Sequence, residues 1–265
     1  MKTISQQQVP VQDYRFGGEG IVIIGGPCAV ESEDQIHHIA RAVAAAGGHV
    51  LRGGAFKSRT HPGAFQGLGL PGLHMLRRAA DAHGLLVVSE VTDTAQLQSA
   101  ADLLDIIQVG ARHMHNTALL QALGPMDVPV LLKRGFGATI DEWCGAVEYI
   151  MEGGNRKVIL CERGIRSFET ATRFTLDLAA VPVMKQRTGL PVIVDPSHAA
   201  GQRDLVAPLA LAAIAAGADG LMMETQCHPE EALSDGAQTV TCEDFADIVK
   251  RVGTVAEALG RWLAE

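Results

Sequence analysis

The sequence predicts an α/β chain folded as a (β/α)8 barrel over residues 20–265, behind a short N-terminal extension, 1–19. Three observations predict it. Eight short β-type apolar runs recur at spacings of about 20–36 residues, each followed by a helix-like segment. Hydrophobic residues make up 47% of the 265 positions but aromatics only 4%, so the core is aliphatic, as suits helices packed on a buried parallel sheet. Chemically reactive residue types follow every one of the eight runs. Alternation alone does not show closure, so a doubly wound open sheet is the alternative, and no low-complexity linker divides the chain.

In chain order, the extension is polar, and its VPVQDYRF stretch suits a strand or short hairpin that plugs one end of a core. The β-type runs are Ile21–Ile24, His49–Leu51, Leu85–Ser89, Asp105–Val109, Pro129–Leu132, Lys157–Leu160, Pro191–Val194 and Gly220–Met223. Helices are predicted over Ser32–Ala46, Gly72–Ala82, Thr94–Leu104 and Thr117–Leu123. Further helices are predicted over Thr139–Met151, Phe168–Arg187, Asp204–Ala216 and Cys242–Ala264. Ser32 with Gln35 has capping-box spacing, and Asp141 and Glu142 place acid at the start of the helix after Thr139. Gly47, Gly48 and Gly217 stand where helices end.

A net charge of −8 argues against a general nucleic-acid surface. The cysteines Cys28, Cys144, Cys161, Cys227 and Cys242 are odd in number and scattered, and no secretory signal opens the chain, so a reduced, cytoplasmic protein is expected. No apolar run reaches the ~18 residues of a membrane span. Gly67, Gly69 and Gly72 form a G-x-G-x-x-G, but a basic loop precedes it where a dinucleotide fold would have a strand.

On a barrel, chemistry collects at the carboxyl ends of the strands. The residues there are Cys28; Arg52 and Lys57; Glu90; Arg112; Lys133 and Arg134; Glu162 and Arg163; Asp195 and His198; and Glu224. They separate into two sets. Cys28, His198, Glu224 and Asp235 offer a thiolate, an imidazole and two carboxylates, a mixture suited to Mn, Fe, Co or Zn and less to Mg or Ca. Singly, each is better read as a buried cysteine, a loop cap or a solvated acid; jointly, on one rim, they favour a metal. Arg52, Lys57, Arg59, Arg112, Lys133 and Arg163, with Arg134, Arg166 and Arg203 as further candidates, form a cationic set suited to substrates bearing several anionic groups.

These residues carry a family likeness. GPCAVES at 26–32, LRGGAFKSRT at 51–60, SEVTDT at 89–94, QVGAR at 108–112 and LLKRG at 131–135 resemble the 3-deoxy-7-phosphoheptulonate (DAHP) synthases. So do ILCERGIRSFET, VDPSHAAGQRDLV and ALSDGAQ, and the likeness is greatest to the short subfamily related to the 3-deoxy-8-phosphooctulonate synthases. The resemblance implies a metal-dependent aldol-type condensation of phosphoenolpyruvate with erythrose 4-phosphate, giving DAHP and phosphate at the start of the chorismate and aromatic amino acid pathway. By position it implies Cys28, His198, Glu224 and Asp235 as ligands of one divalent ion (Mn, Co, Fe or Zn). It implies Arg52, Lys57, Ala111, Arg112, Lys133 and Arg163 at phosphoenolpyruvate, and Arg59 and Thr60 at the aldose phosphate. Catalytic parts fall to Lys57, Glu90, Lys133, His198 and Asp235, and a homotetramer or homodimer is expected.

The chain departs from the family pattern on the aldehyde side. Ser58 and His61 replace the proline and final serine of K-P-R-T-S, Thr225-Gln226-Cys227 replaces Val-His-Pro, and His113 and His115 stand where amides are usual. A specialised paralogue using another aldose phosphate, or an octulosonate synthase, is therefore the alternative, although Arg59-Thr60 favours the four-carbon aldehyde. With about twenty residues before the first barrel strand, a fused regulatory module is not expected.

Overall fold

A computed structural model describes residues 5–57, 61 and 63–265. The chain opens with an antiparallel hairpin, β1 (Val9–Val11) and β2 (Tyr14–Phe16), turning through Gln12 at φ 49°. The barrel follows: β3 (Gly20–Gly26), β4 (Val50–Arg52), β5 (Leu86–Val91), β6 (Ile106–Val109), β7 (Val130–Lys133), β8 (Val158–Glu162), β9 (Val192–Val194) and β10 (Gly220–Glu224). Neighbours pair in parallel in sequence order, and β10 pairs with β3 from Gly220 opposite Val22 to Glu224 opposite Gly26, so the sheet is closed. That closure excludes the open doubly wound alternative.

The helices are α1 (Glu33–Ala45), α2 (Leu70–Ala82), α3 (Thr94–Ala100), α4 (Thr117–Leu123) and α5 (Ile140–Glu152). They continue as α6 (Ala180–Thr188), α7 (Pro196–Ala200), α8 (Val206–Ala215) and α9 (Cys242–Ala258). Their starts follow local chemistry. Thr139 and Glu142 form a reciprocal capping box on α5. At α1 the Ser32 hydroxyl accepts from the Gln35 amide, but the Gln35 side chain accepts from the Glu31 amide, one residue earlier than a true box.

Two predicted helices differ from the structure. The helix predicted over 168–187 begins only at Ala180, because the amides of Arg173 and Phe174 donate to the carbonyls of Ala200 and Ala199 on α7, and Ile165 pairs with Thr175. Backbone groups committed to tertiary partners are lost to a helix. The last predicted helix stops at Ala258. Gly260 turns at φ 71°, Arg261 anchors on the Ala218 carbonyl at 2.7 Å, and β11 (Trp262–Leu263) runs parallel to the start of β3.

Side chains alternate across a strand with period two. One parity of the barrel strands, including Ile21, Leu51, Val87, Ile107, Leu132, Leu160, Val194 and Leu221, packs outward against the helices. The other parity, Val22, Ile24, Val50, Leu86, Val88, Ile106, Leu131, Ile159, Ile193 and Met222, fills the interior together with Val9, Val11 and Phe16 of the hairpin. The hairpin closes the amino-terminal end, and the open end is the other one.

Candidate active site

The inward parity, continued two residues towards the carboxyl end, changes from apolar to polar on most strands. Arg52 follows Val50, Glu90 follows Val88, Gln108 follows Ile106, Lys133 follows Leu131, Asp195 follows Ile193 and Glu224 follows Met222. Arg163 follows Cys161 in the same way. On β3 the corresponding position is Gly26, at φ 145°, where a Cβ would fall 2.0 Å from the Arg52 carbonyl oxygen. Only glycine permits that approach, and it brings Cys28 over the mouth.

Three of the four sequence-predicted metal ligands converge there, and His198 stands beside them. Ligand atoms of Cys28, Glu224 and Asp235 lie within 4.8 Å of one another, and His198 Nε2 is 3.3 Å from Glu224 Oε1. The Cys28 thiol donates to Asp235 Oδ2 at 3.0 Å. His198 Nδ1 faces Asp195 Oδ2 at 2.7 Å, an arrangement that leaves the Nε2 lone pair for a cation. Burial pushes the His198 pKa down, which favours the neutral ring that a ligand requires. Burial, then Glu224, pushes the Cys28 thiol up to about 12, partly offset by Lys57, whose Nζ is 2.8 Å from Sγ. Against burial, His198 and the Cys28 thiol hold Asp235 well below the carboxylate range. A sulfur and two carboxylates in one cup, with the His198 imidazole adjoining through Glu224, fit a divalent transition metal, whose charge would favour the Cys28 thiolate.

Beside the cup is a cavity lined by Arg52, Lys57, Glu90, Ala111, Arg112, Lys133 and Arg163, with His198 and Asp235 at its edge. Two of the cations are neutralised internally. Arg52 donates to Glu224 Oε1 at 2.8 Å, and Lys133 to Asp195 Oδ2. Against burial, His198 and Lys133 hold Asp195 well below its usual range. Arg163 is held by aromatic faces, its guanidinium carbon 4.1 Å from the Phe174 centroid and 4.9 Å from that of Phe136. Burial brings Arg163 down to about 10, still a cation at neutral pH. Glu90 is clamped between Gln108 and His113, each at 3.3 Å, and a Cβ on Gly110 would fall 2.0 Å from its Oε1. Against burial, His113 and Lys57 lower its pKa.

Some predicted rim residues stand elsewhere. Glu162 has the outward parity: buried between sheet and helices, it accepts from Arg134 at 2.9 Å and the Gly164 amide at 2.6 Å. Arg134 also bonds Asp177 and lies over Trp143, so this pair belongs to the outer shell and not to the cavity. Arg203 holds the loop carrying Asp235, through the Gly236 carbonyl at 3.3 Å, and Arg166 is an exposed residue over Phe136. Arg59 and Thr60 lie outside the described residues.

Residues that were not foreseen complete the site. Arg173 bonds Asp235 Oδ1 at 3.2 Å, Gln238 donates to Glu224 Oε2 at 2.8 Å, and Phe136 stacks on Phe174 at 5.2 Å. Arg173 and Phe174 were hidden by the helix predicted there. Gln238 sits in the same ALSDGAQ run as Asp235, and that proximity was its one sequence signal.

The DAHP synthetase I family model matches residues 3–259. The phospho-2-dehydro-3-deoxyheptonate aldolase of Thermotoga maritima is 49% identical over 252 residues, 95% of this chain and 75% of that protein. A 2-dehydro-3-deoxyphosphooctonate aldolase of Syntrophotalea carbinolica is 33% identical over 261 residues, 91% of this chain and 93% of that protein. The crystal structure of the Thermotoga maritima DAHP synthase superposes with a TM-score of 0.95 at 47% identity, covering 98% of this chain and 76% of that one. A truncated form of the 3-deoxy-D-arabino-heptulosonate 7-phosphate synthase from that organism gives 0.91 at 45% identity, covering 98% and 95%.

Proposed function

The chain belongs to the DAHP synthetase I family, and on that premise we propose that its barrel mouth condenses phosphoenolpyruvate with erythrose 4-phosphate to give DAHP and phosphate. The observation that carries the reading is the contact between the Cys28, Glu224 and Asp235 cup, with His198 beside it, and a cation-lined cavity in a closed barrel.

We assign the phosphate and carboxylate of phosphoenolpyruvate to Arg112, Arg163, Lys133 and Arg52, with Ala111 at the cavity wall. Arg59 and Thr60 are proposed to hold the phosphate of the aldose. When bound by Cys28, His198, Glu224 and Asp235, a divalent ion (Mn, Co, Fe or Zn) supplies Lewis acidity towards the aldehyde oxygen. The enol carbon C3 attacks the aldehyde carbon, and Lys57 gives a proton to the new hydroxyl. Positive charge then develops at C2, water adds there, and Glu90, beside Lys133, takes its proton. The C2–O bond to phosphate breaks, and the arginines hold the departing anion.

Phosphate release from phosphoenolpyruvate, measured with erythrose 4-phosphate, arabinose 5-phosphate or no aldehyde, tests the reading. Turnover with the four-carbon sugar is expected; preference for arabinose 5-phosphate, or release without any aldehyde, would overturn it. A cytoplasmic homodimer or homotetramer belongs to the same proposal, and sedimentation of the purified chain checks the assembly. No helix among the described residues is long and apolar enough to cross a membrane.

A further inference from the structure

Cys227 and Cys242 take no part in the chemistry above, yet the fold sets them side by side. Past the end of β10, Thr225 forms a parallel bridge with Val240, and the Gln226 amide donates to the Val240 carbonyl at 3.1 Å. Continued two residues along both segments, that register places Cys227 opposite Cys242, the first residue of α9. Both cysteines are free thiols. Both are half-buried, and both line a surface cavity of about 610 Å³ between α1 and the start of α9, on the side of β10 away from the substrate cavity.

Between the two cysteines the chain makes an excursion, residues 228–241, and Asp235 is on it at φ 56°. A non-glycine residue in the left-handed region is held there by its surroundings. Its restraints include single polar contacts: Asp235 bonds Arg173 and Cys28, its carbonyl accepts from Thr239, the Leu233 amide donates to Glu31, Arg203 donates to the Gly236 carbonyl and Gln238 to Glu224. A covalent link at the base of this loop would restrict it more than any of these.

We propose that Cys227 and Cys242 are a two-electron redox pair whose disulfide staples the base of the 228–241 loop. A hydroperoxide is the oxidant. One thiolate of the pair attacks one peroxide oxygen and becomes a sulfenic acid as water or alcohol leaves; the other thiol then displaces hydroxide from that sulfur. The two thiols lose two electrons and two protons, and the peroxide is reduced to two hydroxyl products. Either thiol of the pair can make the first attack, because both orders give the same disulfide. Closing a loop of this length restricts its open states, and the exchange of its amides is expected to slow on the order of 10-fold or more.

The test treats the full, metal-loaded chain with hydrogen peroxide, alkylates the remaining thiols and maps the peptides by mass. The expected product is one peptide pair, Cys227–Cys242, two hydrogens lighter than its reduced form and absent from both Cys227→Ser and Cys242→Ser. Hydrogen exchange on the same sample is expected to show slowed amides within 228–241, reversed by dithiothreitol. Failure of the bond to form in a folded protein, pairing of either cysteine with Cys28, or a bond that leaves exchange in 228–241 unchanged would each overturn the proposal.

Discussion

At the amino-terminal end of the barrel, Val22, Val50, Val88, Ile106 and Ile193 close over Val9, Val11 and Phe16, with no charge among them. At the carboxyl end, two residues further along strands of that same set, the interior is Arg52, Glu90, Gln108, Asp195 and, from β7, Lys133. Burial stabilises the first layer, at roughly 25 cal/mol per Å² of apolar surface. The second layer loses stability through desolvation and regains part of it by pairing Arg52 with Glu224 and Lys133 with Asp195. The difference teaches that one strand set carries stability at one end and chemistry at the other. Damage to each end should therefore appear in a different measurement.

The largest effect is expected from emptying the cup. Exhaustive chelation should abolish DAHP formation, and Mn, Co, Fe or Zn should restore it, while near-UV circular dichroism of the hairpin end stays native. Full activity after verified metal removal would remove the cup from the mechanism. Next is Arg163→Ala, which takes away a desolvated cation held by Phe136 and Phe174. It should lower kcat/KM by about 10²–10³ through lost stabilisation of the anionic groups, with denaturant stability changed by less than about 1 kcal/mol. A large loss of stability with activity intact would reverse the comparison.

The opposite end supplies the converse. Phe16→Ala removes a fully buried ring from the plug, and large-to-small changes of this kind cost about 3–5 kcal/mol. Urea unfolding should shift by that amount, with kcat within about a factor of two below the transition, since Phe16 belongs to the apolar interior cluster and not to the polar layer of the mouth. Equal losses of kcat and stability would show that the two ends are mechanically coupled.

How much of this contrast the sequence carried depended on range. The strands were legible because each apolar run is short and bounded by turn residues, and each of the eight runs overlaps an observed strand. Inward and outward parity was also present in the runs. Applied strictly, it would have placed Glu162 outside with Leu160 and Arg163 inside with Cys161. The helix predicted over 168–187 failed because nothing local shows that the amides of Arg173 and Phe174 bond to α7. Cys28 and Asp235, 207 residues apart, meet only because β10 closes onto β3; the shared barrel rim was the argument that joined them in the sequence. The Phe136–Phe174 stack joins two loops and has no counterpart in any run of residues.

The smallest expected effect belongs to His49, at the rim of the plugged end. Its Nδ1 accepts from the Ile23 amide at 2.8 Å, so the proton is on Nε2, which donates to the Ala264 carbonyl at 2.8 Å. The Tyr14 ring of the hairpin meets it edge-on at 4.9 Å. One neutral imidazole thus ties together β3, β4, the hairpin and the C-terminal strand. Burial lowers its pKa below the ordinary value, outweighing the two backbone bonds. The unfolded chain, titrating near ~6.5, then takes up a proton before the folded one does. Stability from His49 is therefore complete above that pH and is lost as pH falls through the lower, folded value, with a slope of at most about 1.4 kcal/mol per pH unit. Urea midpoints of the native chain and His49→Gln, compared from pH 8 to 5, should converge as the pH drops. Parallel curves would mean that protonating His49 leaves its contacts intact, and the plugged end would then lack the pH sensitivity that its buried imidazole implies.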